Sequence, residues 1–117
     1  MSFRFLDFKI YKDIKIFIKE IYRTSAGFPK EEQFGLVNQI RRAATSIALN
    51  LAEGSDRGSD KEFGRFISTA IGSVNEVVAI LDICLDNGFL NRQNYDIIMG
   101  QAEDIAKQLS GLRKSLK

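Results

Sequence analysis

Apolar residues recur along this chain at three- and four-residue steps, the period of helices that each turn one face to a core. Ile10, Ile14, Phe17 and Ile21 make the first such face, and the spacing predicts a helix over 8–24 with Asp7 as its N-cap. Pro29 suits the first turn of a second helix over 30–53, where Glu31 and Glu32 favour the positive end of the dipole and Ile40, Ala44, Ile47 and Leu51 form the apolar side. Gly54 is placed to close that helix in left-handed backbone, and Ser59 followed by Glu62 spells a capping box. The third helix, over 60–87, keeps Phe63, Ile67, Ala70, Val74, Val77, Leu81 and Cys84 in step until Gly88 stops it. Asn91 caps a fourth over 92–115, whose Tyr95, Ile98, Ala102, Ile105, Leu109, Leu112 and Leu116 hold the same rhythm. Four amphipathic segments joined by short turns predict a single-domain, all-α, up-down antiparallel four-helix bundle. The leading SFRFLDF carries enough apolar surface to pack on the bundle or on a neighbour.

Some apolar positions exceed what one bundle requires. At 100° steps Ile80 and Ile83 fall opposite Val74 and Leu81, while Leu49 and Ile16 lie outside the stripes of their own helices. Surplus of this kind on several faces points to a homo-oligomer, with Ile16, Leu49, Ile80 and Ile83 at subunit contacts. Gly64, Ser68 and Gly72 add a line of small residues along which another helix could come close. In the second helix, Gln39, Arg42, Ser46, Asn50 and Glu53 form a polar line, although Ser and Asn are mediocre in helix interiors. That line is either a solvated side or a set of residues meeting another surface. With the surplus apolar faces considered, Gln39, Ser46, Asn50 and Glu53 are expected to satisfy buried or interfacial hydrogen bonds.

Composition narrows the chemistry. The chain has 117 residues, enough for one core, and lacks histidine; Cys84 is its single cysteine and sits among Val77, Leu81 and Leu85 as a buried hydrophobe. Ser/His and Cys/His pairs and most transition-metal sites are thereby excluded. Carboxylates remain, but Glu53 with Asp56 or Glu62 are accounted for by capping and ion pairs, and Asp82 with Asp86 lack a third metal ligand in register. The chain is therefore expected to be non-enzymatic, with no catalytic residue, metal or cofactor. No run approaches the ~18 apolar residues of a membrane span and the start lacks a signal peptide's apolar core, so a cytoplasmic protein without membrane contact is expected.

Seventeen Lys and Arg against fifteen Asp and Glu leave a net charge of +2, too little to identify a nucleic-acid binder, so placement has to carry that argument. Lys12, Lys15, Lys19 and Arg23 stripe the first helix, Arg41 and Arg42 sit in the second, and Arg57, Lys61 and Arg65 gather at the start of the third. Lys107, Arg113, Lys114 and Lys117 form a C-terminal group. Planar guanidinium forks suit phosphate and stack on bases, while the plainer reading makes these residues solubilising faces and partners of Asp56, Asp60 and Glu62. Arg41 and Arg42 point about 100° apart, so at most one of them serves nucleic acid directly.

Phe28-Pro29, Glu32, Gly35-Leu36, Gln39-Ile40-Arg41-Arg42-Ala43, Ser46-Ile47, Asn50, Ala52-Glu53-Gly54 and Arg57 form a combination that continues with Lys61-Glu62-Phe63, Phe66, Ala70, Gly72-Ser73 and Glu76. From Phe5 onward the chain resembles the bacterial 23S rRNA intervening-sequence proteins, a family related to the accessory protein of diversity-generating retroelements. The resemblance implies an up-down four-helix bundle assembled into a homopentameric ring, no catalytic residues, and RNA or DNA as the leading partner. Arg41, Arg42, Arg57, Lys61 and Arg65 are then the first candidates for nucleic-acid contact, with Lys12, Lys15 and Lys19 second. The alternative is a protein-interaction scaffold that docks a partner enzyme such as a reverse transcriptase.

Overall fold

A computed structural model describes residues 3–116. Four helices, α1 (Lys9–Ser25), α2 (Leu36–Ser55), α3 (Asp60–Asp86) and α4 (Arg92–Ser115), form the up-down bundle that the apolar periodicity predicts, and no strand occurs among the described residues. Each helix packs on two neighbours, in the cyclic order α1, α2, α3, α4, and the backbones of the diagonal pairs do not come close. The seam between α1 and α4 is the least extensive of the four. The assembly measures 44 × 24 × 20 Å. Its core is the set of in-step residues: Ile14, Phe17 and Ile21 from α1; Ile40, Ile47 and Leu51 from α2; Ile67, Val74, Val77 and Leu81 from α3; Ile105 and Leu109 from α4.

Helix ends follow local chemistry, with three departures from expectation. Asp7 does not cap α1, because it belongs to a 3-10 turn, Arg4–Asp7, and Phe8 takes the N-cap position without a side-chain bond. That turn fastens the N-terminal segment to the bundle. Arg4 donates from Nε and Nη2 to the Ser55 carbonyl at 3.1 and 2.6 Å, and its guanidinium lies over the rings of Phe8 and Phe63. The second helix starts six residues later than the sequence suggests. Lys30–Glu32 forms a 3-10 turn after Pro29, and the Glu32 carboxylate accepts the Leu36 N–H at 3.3 Å, so Glu32 caps the real start of α2 from outside it.

Gly54 is the third departure. It lies inside α2, which runs on to Ser55, and Gly88 is the only described residue with positive φ, at 74°. Gly54 is needed for contact instead: a Cβ there would stand 2.6 Å from Cβ of Phe66 and 3.0 Å from Cδ1 of Phe63, so its absence lets α3 close on α2. At the other end of α3, the Phe89 N–H reaches the Cys84 carbonyl at 2.9 Å and the Gly88 N–H reaches that of Leu85 at 3.1 Å, a Schellman closure that requires the left-handed glycine. Ser59 Oγ accepts the Glu62 N–H and Asn91 Oδ1 accepts the Asn94 N–H, as their positions predict. By length and composition α3 alone among the described helices could cross a membrane, but here its apolar side is turned into the bundle between α2 and α4.

Candidate nucleic-acid interface and subunit surfaces

The structure divides the basic residues into engaged and free. Arg41 is held at the α1–α2 seam, donating to Ser25 Oγ at 2.9 Å and to the Tyr22 carbonyl at 3.1 Å with its guanidinium 4.6 Å from the Tyr22 ring centre. Arg57 pairs with Glu53 at 2.7 Å and stacks on Phe66, and Lys15 lies over Tyr11. The side chains of Arg42, Lys61, Arg65, Lys12 and Lys19 are exposed and have no ion pair or hydrogen bond among the described residues. Of the two adjacent arginines, Arg42 is therefore the one directed outward.

Lys61 and Arg65 share the outward side of α3 with Gly64, Ser68 and Gly72, at three- and four-residue steps. No atom approaches within 4 Å of the position a Cβ would take at Gly64 or Gly72, so this line is uncovered in the protomer. Arg113 on α4 borders it and donates to Ser68 Oγ at 3.2 Å. Arg57, on the turn just before α3, lies at the same end of the bundle, which also carries the exposed carboxylates of Asp56, Asp60 and Glu62. Glu62, exposed, flanks the line beside Lys61; Glu76 faces the α2 side, where it borders a cleft with Gln39, Arg42 and Ser46.

The polar line of α2 has more than one role. Ser46 Oγ lies 2.9 Å from Oγ of buried Ser73 on α3 and accepts from Asn50 Nδ2 at the same distance, which makes a small polar bridge across the α2–α3 seam. Glu53 is at the surface with Arg57, and Gln39 is exposed. Among the apolar positions expected at subunit contacts, Leu49 and Ile16 are 62% and 61% exposed and Ile83 is also exposed, but Ile80 is buried at 3%. Ile80 is corrected to a core residue: α3 is wedged between α2 and α4, so its buried arc is wider than one stripe and includes the flank on which Ile80 lies.

Sequence reasoning missed the α1–α4 seam. There Ile97, 53% exposed, stands with Ile16 over a cleft of about 400 Å³ that also borders Phe17, Gly100, Gln101 and Asp104. Gln108 Nε2 donates to both Asp13 and Asp104 at 2.9 Å, and Asp13 pairs with Lys9 at 2.7 Å. The bonds from Lys9 and Gln108 hold the Asp13 carboxyl below its usual range. Ile97 is one residue off the in-step set, immediately before Ile98, and that displacement was the available signal. Phe34, 94% exposed just before α2, was likewise not singled out.

No group of three or more His, Cys, Asp or Glu side chains among the described residues could hold a metal ion, and buried Cys84 has its thiol pushed up to about 11 by burial. No curated protein matches the chain. A crystal structure of a protein of unknown function from the S23 ribosomal protein family of Bacteroides thetaiotaomicron is similar in fold, with a TM-score of 0.80 and 23% identity over 90% of this chain and 98% of that one. Residues 6–111 match the family model described as 23S rRNA-intervening sequence protein, and the chain belongs to that family.

Proposed function

We propose that this protein is a non-enzymatic, cytoplasmic homo-oligomer, a pentameric ring, that binds structured RNA or DNA through the outward face of α3. The carrying observation is the uncovered line Lys61, Gly64, Arg65, Ser68 and Gly72, with Arg57 and Arg113 at its borders. Small residues let a phosphate backbone approach the helix, and Lys61 and Arg65, whose side chains have no partner among the described residues, are available to neutralise it. Engaged Arg41 is a structural residue in this reading, and the Lys12 and Lys19 stripe is secondary.

The test is a titration of a structured RNA at low salt. Binding is expected to weaken steeply with salt, and Lys61→Ala with Arg65→Ala to weaken it across sequences and reduce the log–log salt slope by about 2. Absence of binding at low salt, or an unchanged slope in the double variant, refutes the reading. Exposed Phe34 favours protein docking as the second reading, and partners recovered from a lysate equally well after nuclease treatment would select it.

A further inference from the structure

We propose that the outward ridge of α2 on one copy seats in the α1–α4 groove of the next, a head-to-tail contact between two different surfaces of the same chain. The proposal rests on the homo-oligomer reading and names the surfaces through which assembly proceeds. The groove is open and apolar at Ile16 and Ile97, both more than half exposed. Gly100 leaves open space where a side chain would project, and Gln101 Oε1 is buried there with no hydrogen-bond partner among the described residues. Such a groove accepts a helix ridge.

Charge order selects the occupant. Along α1, Lys12, Ile16 and Glu20 follow at four-residue steps, so basic, apolar and acidic positions succeed one another. Along α2 read backwards, Glu53, Leu49 and Arg42 run acidic, apolar, basic on one outward ridge that borders an open cleft. Laid antiparallel to α1, as α1 already lies against its own α2, the ridge brings Leu49 onto Ile16 and Ile97, Glu53 beside Lys12, and Arg42 toward Glu20. Glu53 and Lys12 each lie about 6 Å along the helix from their apolar neighbour; Arg42 lies about 10 Å from Leu49 and Glu20 about 6 Å from Ile16, a mismatch a guanidinium arm spans.

The side chains of Lys12 and Arg42 have no ion pair or hydrogen bond among the described residues, Glu53 holds a local surface pair with Arg57, and Glu20, partly buried, holds one with Arg23. An exposed pair such as Glu53–Arg57 is weak and readily shared with a second cation. Because ridge and groove differ, each copy offers one of each, and the contact propagates until the ring closes.

Light scattering on the full chain tests the contact. The wild type is expected as an oligomer at micromolar concentration, and Leu49→Asp and Ile16→Asp each as a monomer. An equimolar mixture of the two variants is expected as a dimer, since the pair retains one intact ridge and one intact groove. Glu53→Lys is expected to weaken assembly about tenfold and Lys12→Glu in the same chain to restore it. Helical circular dichroism checks folding, with Leu49→Ser and Ile16→Ser in reserve. Single variants that remain oligomeric, or monomeric variants whose mixture stays monomeric, overturn this contact and leave the homo-oligomer reading intact. A monomeric wild type overturns both.

Discussion

Replacing Gly54 and Gly72 by alanine, one at a time, makes the same chemical change in two helix interiors and is expected to move stability in opposite directions. Helix propensity alone favours alanine over glycine by about 1 kcal/mol at either site. At Gly72 nothing lies within 4 Å of the added Cβ, so the protomer should gain most of that amount. At Gly54 the methyl would stand 2.6 Å from Phe66 Cβ. Carbon atoms prefer separations of about 3.5–4.0 Å, and Phe66 Cβ is fixed to the α3 backbone, so the clash is relieved only by moving the two helices apart by about 1 Å. Overpacking of this sort costs about 1–3 kcal/mol, and the immovable contact puts Gly54→Ala near the upper end, for a net loss of about 2 kcal/mol. In a chain of this size that corresponds to a melting temperature about 8 °C lower, against a rise of about 3 °C for Gly72→Ala. Urea unfolding followed at 222 nm measures both, at one protein concentration because the proposed assembly would couple to stability. A Gly54→Ala protein as stable as the wild type would show that α2 and α3 do not need the close approach.

Other consequences concern single side chains. Cys84, fully buried and with its thiol pushed up to about 11, should resist a thiol reagent at neutral pH in the native protein and react fully in guanidinium; stoichiometric native labelling would contradict its place in the core. The bonds from Lys9 and then Gln108 lower the Asp13 pKa, so its contribution to stability is present above the usual carboxylate value and is lost as pH falls through its folded value. Melting temperatures of wild type and Asp13→Asn should therefore differ at neutral pH and converge in acid, and a gap that persists in acid would assign the effect to something other than the charge.

Helix number, order and most caps were legible because they depend on residues close in sequence. Ser59 and Asn91 act within three residues, and the Gly88 closure spans six. The start of α2 was not, since Pro29 permits a helical first turn and a 3-10 turn equally well, and the choice falls to Glu32 reaching forward to Leu36. Gly54 was assigned a plausible local role, but the reason for glycine is Phe66, twelve residues on in another helix. Ile80 failed for a related cause: a periodicity argument gives each helix one buried stripe, whereas a helix packed on two neighbours buries an arc whose width depends on both.

The candidate site was legible in residue type and illegible in availability. Sequence counts Arg41, Arg42 and Arg57 alike, yet a cation serves an outside partner only to the extent that internal partners leave it free. Arg41 is committed to Ser25 and Tyr22, residues of another helix that no spacing rule on α2 could reveal. Arg57 is half committed, through Glu53 four residues back, which spacing does reveal. Arg42 differs from Arg41 by one residue and about 100° of rotation, and that rotation separates a side chain sealed into a seam from one on an outward ridge. The proposed assembly divides the free cations again. If Arg42 and Lys12 meet carboxylates of neighbouring copies, they are spent in the ring, and Lys61 and Arg65 remain, beside a line of small residues that nothing in the protomer covers. Substitutions at Arg42 should then alter the oligomer before they alter nucleic-acid binding, and those at Lys61 and Arg65 the reverse.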